Sequence, residues 1–267
     1  MFKQRLLTTL ILVPLVLFAI YYASDWFFTS VILLLLFACA IEWSGLIPVR
    51  QLGLKVIFII SIFLSFWLTY DNSHFNYWLI TGMLIWGLIF IAILGFPVSQ
   101  RIWGYSFIIT GAGLLLLPLF AQCLLLIYHQ PQGPDLIVYL LFLVWAADIG
   151  AYLVGRQWGK HKLIPWVSPG KTVEGALGGF ILALLIALGG YFYFRPDASL
   201  GWFLLAVITT LFSMMGDLFI SMLKRRSKIK DTGHLLPGHG GVLDRLDSLI
   251  AASFLFYCGL AFLALGL

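Results

Sequence analysis

Runs of apolar residues, each long enough to cross a bilayer as a helix, follow one another along this chain with only short polar interruptions. Nine such spans are expected, at about 6–23, 26–46, 54–70, 76–96, 104–127, 136–154, 174–194, 201–223 and 246–267. Backbone groups inside hydrocarbon have no water to bond, so each span should be a helix. Composition agrees: 62% of residues are apolar and 10% are charged, against about 25% charged in an average soluble domain. A soluble globule could not cover its surface with so few charges. The expectation is an all-α, polytopic integral membrane protein forming one membrane domain. It would have an N-terminal helical half over residues 1–140 and a C-terminal half over 141–267 carrying the polar site.

The basic residues orient the spans. With the N-terminus in the cytoplasm, that side holds Lys3, Arg5, Arg50, Lys55, Arg101, Arg156, Lys160, Lys162, Lys171, Lys224, Arg225, Arg226, Lys228, Lys230 and Arg245. These are 15 of the 16 basic residues, and only Arg195 falls outside. The outer loops carry Asp25, Asp71, Asp135 and Asp197 instead. An odd number of spans follows, with the C-terminus outside. The net charge of +5 therefore reflects cytoplasmic loops beside anionic lipid, not a nucleic-acid partner. Lys3 and Arg5 ahead of an apolar run resemble a signal peptide, but Leu6 to Ala23 is long for one, and an uncleaved first helix is expected.

Several residue types carry no chemistry on this reading. Cys39, Cys123 and Cys258 lie in apolar spans without metal-type spacing and should be packing residues. His234 and His239 lack two further zinc ligands. Gly155 to His161 is one residue short of a P-loop and lacks its Ser/Thr. Trp26, Trp43, Trp78 and Trp103 fall near expected interfaces and read as belt aromatics.

Three constellations remain. The exit of the sixth span carries Asp148, Tyr152, Gly155 and Gly159 on one helical stripe, where either a ligand or a neighbouring helix could come close. Next, Ser168-Pro-Gly is turn chemistry, followed by Lys171 and Glu174 where the seventh span should open. The third runs from Asp217 to Asp247. Ser213, Asp217, Ser221, Lys224 and Lys228 form an expected polar stripe leaving the eighth span. Gly240 and Gly241 allow backbone N–H groups to converge on an anion. Asp244 and Asp247 share a face of the last helix. Asp148 and Asp217 read as the two carboxylates well inside apolar helices, a costly placement without a partner. Carboxylates ringed by Lys and Arg suit a divalent cation holding phosphates.

The third segment resembles the signature of the phosphatidate cytidylyltransferase (CDP-diacylglycerol synthase) family. It reads Ser221-x-Leu223-Lys224-Arg225, then Lys230-Asp231-x-Gly233, then Leu236-Pro237-x-His239-Gly240-Gly241-Val242-x-Asp244-Arg245-Leu246-Asp247. The Ser168–Gly175 and Asp148–Tyr152 stretches are similar to that family too, whereas residues 1–140 resemble it only as a hydrophobic half. The resemblance implies transfer of a cytidylyl group from CTP to phosphatidate, giving CDP-diacylglycerol and pyrophosphate for phospholipid synthesis, with Mg2+ as the divalent cation. It implies a catalytic set of Asp217, Lys224, Arg225, Asp231, His239, Asp244 and Asp247. The metal would fall to Asp217, Asp244 and Asp247. Asp148, Ser168, Lys171, Glu174, Gly240 and Gly241 would surround CTP. The partners implied are CTP, phosphatidate and the bilayer, with a homodimer as a candidate assembly. The location implied is an integral position in a membrane, the inner membrane if the source is bacterial, with the site facing the cytoplasm. Two alternatives remain open: a related membrane nucleotidyl- or phosphotransferase acting on another lipid, and an anionic-solute transporter. The second is disfavoured because the polar residues gather on one side.

Overall fold

The protein is described by a computed structural model covering residues 14–22, 24–70, 75–233, 235, 240–263 and 265. Residues 14–22 are helical (α1), and the rest of the expected first span lies outside the described residues. Eight further helices follow: α2 (Asp25–Leu46), α3 (Leu52–Thr69), α4 (Phe75–Leu94), α5 (Ser106–Tyr128), α6 (Gly133–Trp158), α7 (Val173–Phe194), α8 (Ser199–Arg226) and α9 (Leu243–Phe262). Each of the eight is long and apolar enough to cross a membrane. The chain is an all-α, polytopic integral membrane protein. A 3-10 helix (Val98–Gly104) leads into α5, and one antiparallel hairpin, β1 (Lys162–Ile164) and β2 (Ser168–Thr172), joins α6 to α7. Ser168-Pro-Gly is therefore strand, not turn; the turn falls at residues 165–167. Residue 140 lies inside α6, so the two halves join in mid-helix.

The most buried of the eight, α5, is packed against α2, α3, α4, α6 and α9. Pro118 within it has no N–H for the Leu114 carbonyl, and the Ser65 hydroxyl of α3 donates to that carbonyl at 2.7 Å. The Trp43 indole N–H of α2 likewise donates to Ile109 O of α5 at 3.0 Å. Trp43 and Trp103 are thus buried, not belt residues; with Trp86 they pack their rings against Phe219 of α8. This aromatic clamp fixes α8 against α2, α4 and the 3-10 helix. Trp26 is exposed. Cys39, Cys123 and Cys258 are free and buried, as packing residues should be.

Helices α6 and α7 meet backbone to backbone along a glycine seam. A Cβ on Gly150 would stand 2.5 Å from the Gly178 carbonyl oxygen, and one on Gly179 would stand 2.6 Å from that of Ala147. Gly155 and Gly159 pack on Thr172, so the small residues of this stripe serve helix packing. At the end of the bundle remote from the hairpin, Asp135 accepts from Tyr21 at 2.6 Å and Tyr193 at 3.2 Å, tying α1, α6 and α7.

The seam generates a prediction. Gly150→Ala must force the two backbones apart and should destabilise the protein by about 1–3 kcal/mol. Gly111→Ala, where an added Cβ meets nothing within 4 Å, should be neutral. Thermal unfolding of both variants in the same detergent checks this; equal melting temperatures would contradict the close approach.

Candidate active site

The ends of α2, α6 and α8 and the starts of α3, α5, α7 and α9 gather at one end of the bundle, together with the hairpin. All the described basic residues except Arg195 belong to this end.

Thr172 begins α7 as its N-cap, its hydroxyl accepting from Gly175 N at 3.1 Å. One residue earlier, Lys171 projects from β2 to α8 and pairs with Asp217, Nζ to Oδ2 at 2.6 Å. Ser221, one turn along α8, donates to the other Asp217 oxygen at 3.2 Å. Asp148, exposed on α6, and Asp247, buried on α9, both lie within electrostatic reach of Asp217 and Lys171. Lys171 of β2 and Asp217 of α8 thus meet directly, and the Asp247 backbone of α9 packs on Gly216 beside them.

A second pair stands beside the first. Lys224 Nζ donates to Asp244 Oδ1 at 2.7 Å, and both side chains are largely buried, at 15% and 7% exposed. The other Asp244 oxygen accepts from Thr232 N at 2.8 Å and Gly241 N at 3.2 Å. Asp244 therefore folds the glycine loop over itself while holding Lys224. Gly240 sits in that loop at φ 85°, a conformation that suits glycine, facing Asp231 and Asp244. His239 lies outside the described residues.

Other expected residues have different partners. Both Glu174 oxygens are engaged by the segment leaving α6: Lys160 N at 3.0 Å, His161 N at 3.2 Å and His161 Nδ1 at 2.6 Å. Glu174 anchors the root of the hairpin. Arg225 Nε donates to Val167 O at 3.2 Å and fastens the hairpin's turn to α8. Arg226 bridges Leu46 O at 3.0 Å and Gly104 O at 3.2 Å. Tyr152 is exposed and accepts from Arg156 at 3.1 Å. Helix α8 ends at Arg226, and Lys228 sits in the following turn at φ 55°, so Lys228 does not continue the helical stripe.

Glu42 of α2 was not anticipated as a site residue. It is only 4% exposed, a third carboxylate inside an apolar helix beside the two that sequence reasoning singled out. Its oxygens accept from Thr232 Oγ1 at 2.9 Å, Val242 N at 2.9 Å and Leu243 N at 2.8 Å. The signal was present: a lone Glu one turn from the end of an otherwise uncharged span.

Chemically, this end offers ammonium groups beside carboxylates, a combination suited to phosphates held with a divalent cation. Among the described residues, no three His, Cys, Asp or Glu side chains close a metal cage by themselves. Mg2+ does not require one: it is usually held by one or two carboxylates, waters and substrate phosphates. Asp217, with Asp247 close by, fits that donor set.

The fold and this polar end define an integral membrane protein with a cluster of paired lysines and carboxylates at one end of its bundle. A family model described as the cytidylyltransferase family matches residues 3–263, and the chain belongs to that family. It is 36% identical to a phosphatidate cytidylyltransferase of Haemophilus influenzae, over 94% of this chain and 96% of the relative. It is 39% identical to one of Pseudomonas aeruginosa, over 94% of each chain. A Staphylococcus aureus phosphatidate cytidylyltransferase is 45% identical over a shorter stretch of 123 residues, covering 45% of this chain and 47% of the relative.

Proposed function

We propose that this chain transfers the cytidylyl group of CTP to phosphatidate, releasing pyrophosphate and leaving CDP-diacylglycerol in the membrane. The carrying observation is the pair of lysine–carboxylate contacts, Lys171–Asp217 and Lys224–Asp244, set side by side at one end of an apolar bundle in a cytidylyltransferase-family chain. A phosphate oxygen of the lipid forms a bond to the α-phosphorus of CTP, and the bond from that phosphorus to pyrophosphate breaks. The lipid phosphate is itself the nucleophile, so no covalent enzyme intermediate is needed.

The protein's part is positioning and charge. Lys171 and Lys224, already held at the carboxylates, reach phosphate oxygens brought to the same place. Arg225 adds a third cation while holding the hairpin turn. Asp217, with Asp247 close by, would hold the divalent cation, Mg2+, which would supply charge neutralisation at the phosphates, and Asp244, whose oxygens are engaged by Lys224 and loop amides, would set the position of Lys224. Asp148 and Ser168 line the approach, Glu174 holds the hairpin root, and Asp231, His239, Gly240 and Gly241 contribute the loop beside the nucleotide phosphates. This end faces the cytoplasm, where CTP is available, and the chain crosses the membrane nine times with its N-terminus inside.

Purified protein should convert CTP and phosphatidate, and a chelator should abolish the reaction. Asp217→Asn should lower turnover at least about a hundredfold, roughly 2.7 kcal/mol, with membrane insertion intact. Turnover of a different lipid phosphate in preference to phosphatidate would assign another substrate. Near-normal turnover of Asp217→Asn at saturating Mg2+ would remove the metal role.

Orientation has its own test, because the native cysteines are buried and leave a thiol background of little weight. A membrane-impermeant thiol reagent should label Asp197→Cys from outside, and Lys228→Cys only after permeabilisation. The opposite pattern would invert the topology.

A further inference from the structure

We propose that Glu42 is a positioning residue for the reaction: from the N-terminal half of the chain it holds Thr232 and the first turn of α9, where Asp244 meets Lys224. The activity side of this proposal rests on the cytidylyl-transfer reading above; the structural side does not.

The physical case begins with burial. A carboxylate with almost no exposure is strongly unfavourable unless hydrogen bonds replace its water. Among the described residues Glu42 has three donors, and they come from Thr232 and the start of α9. Two are the backbone N–H groups of Val242 and Leu243, where α9 begins and where a helix leaves donors without intrahelical acceptors. Its negative charge also suits that end of the helix dipole. Val242, the N-cap residue, makes no side-chain cap hydrogen bond, so Glu42 performs from a distant helix the task that an N-cap residue performs locally.

The glycines at this junction support the same conclusion. A Cβ added to Gly233 or to Gly241 would collide with the Glu42 carboxylate. Both glycines belong to the signature segment, and their lack of a side chain leaves room for this one carboxylate. From Glu42 the mechanical chain to the site is short. Thr232 is bonded through its hydroxyl to Glu42 and through its N–H to Asp244, and Asp244 grips Lys224. Leu243, bonded to Glu42, directly precedes Asp244 in α9. Displacing Glu42 therefore displaces the second lysine–carboxylate pair without removing any group of that pair.

The experiment uses the full chain in lipid nanodiscs, comparing wild type, Glu42→Gln and Thr232→Val. Glutamine keeps the size of Glu42 but turns an amide NH2 toward backbone N–H groups. Two readouts are taken: amide hydrogen exchange of the peptide spanning 232–247, and kcat and KM for CTP. In Glu42→Gln, exchange at Val242 and Leu243 should accelerate, and kcat should fall at least about tenfold while KM for CTP changes less than about threefold. Thr232→Val leaves Glu42 on its two backbone donors and should show the same pattern at about two- to fivefold. Unchanged exchange overturns the proposal. Faster exchange with kcat within about threefold reduces Glu42 to a helix cap unrelated to catalysis and also overturns it. Should Glu42→Gln fail to yield folded protein, Thr232→Val decides alone, and its unchanged exchange and kcat would overturn the proposal. A wild-type chain that turns over no CTP would defeat the functional reading, while the exchange result would still judge the junction.

Discussion

A charge inside an apolar bundle must find a partner, and that requirement organises the polar end of this protein. Asp217 meets Lys171, Asp244 meets Lys224, and Glu42 meets backbone amides of the opposite half. Each contact joins elements that hydrophobic packing alone would leave free to slide: β2 to α8, α8 to α9, and α2 to α9. Apolar burial brings helices together without direction, whereas these contacts set register and rotation. The same residues that would be costly alone become the pins of the site.

The scaffold behind those pins is stiff for separate reasons. Phe219, two residues from Asp217, is held by the rings of Trp43, Trp86 and Trp103, so α8 cannot easily rotate. The glycine seam sets α6, which carries Asp148, backbone to backbone against α7. Gly216 lets α9 approach α8 until the Asp247 carbonyl packs against its Cα. The basic run on α8 divides its work: Lys224 sits in the charged cluster, Arg225 secures the hairpin and Arg226 ties α2 to the 3-10 helix.

The helices were readable from the sequence because a bilayer leaves so few solutions: spans of the right length and hydropathy became helices close to the expected limits. Asp217 was readable because a charge inside an apolar helix is conspicuous, and Lys171 and Lys224 because they stand at the polar ends of the neighbouring spans. The hairpin was not, since Ser168-Pro-Gly favours a turn locally and only its pairing with β1 makes it strand. Trp43 and Trp103 were misplaced because distance from a span end does not reveal which side of a helix meets protein and which meets lipid. Lys228 left the stripe because the helix stopped before it. Glu42 escaped notice because its partners are backbone amides some 200 residues away, and no periodicity records such a contact.

The central claim is that the charged cluster binds phosphates rather than merely anchoring the bundle to an anionic membrane surface. Lys224 and Lys228 lie four residues apart, one held at Asp244 and one exposed in a turn. Measuring kcat/KM of Lys224→Ala and Lys228→Ala at low and high ionic strength separates the two accounts. The site account predicts a loss of at least about tenfold for Lys224→Ala, roughly 1.4 kcal/mol, that persists in salt. For Lys228→Ala it predicts a loss under about threefold that fades as salt rises. Equal, salt-sensitive losses in both would contradict it.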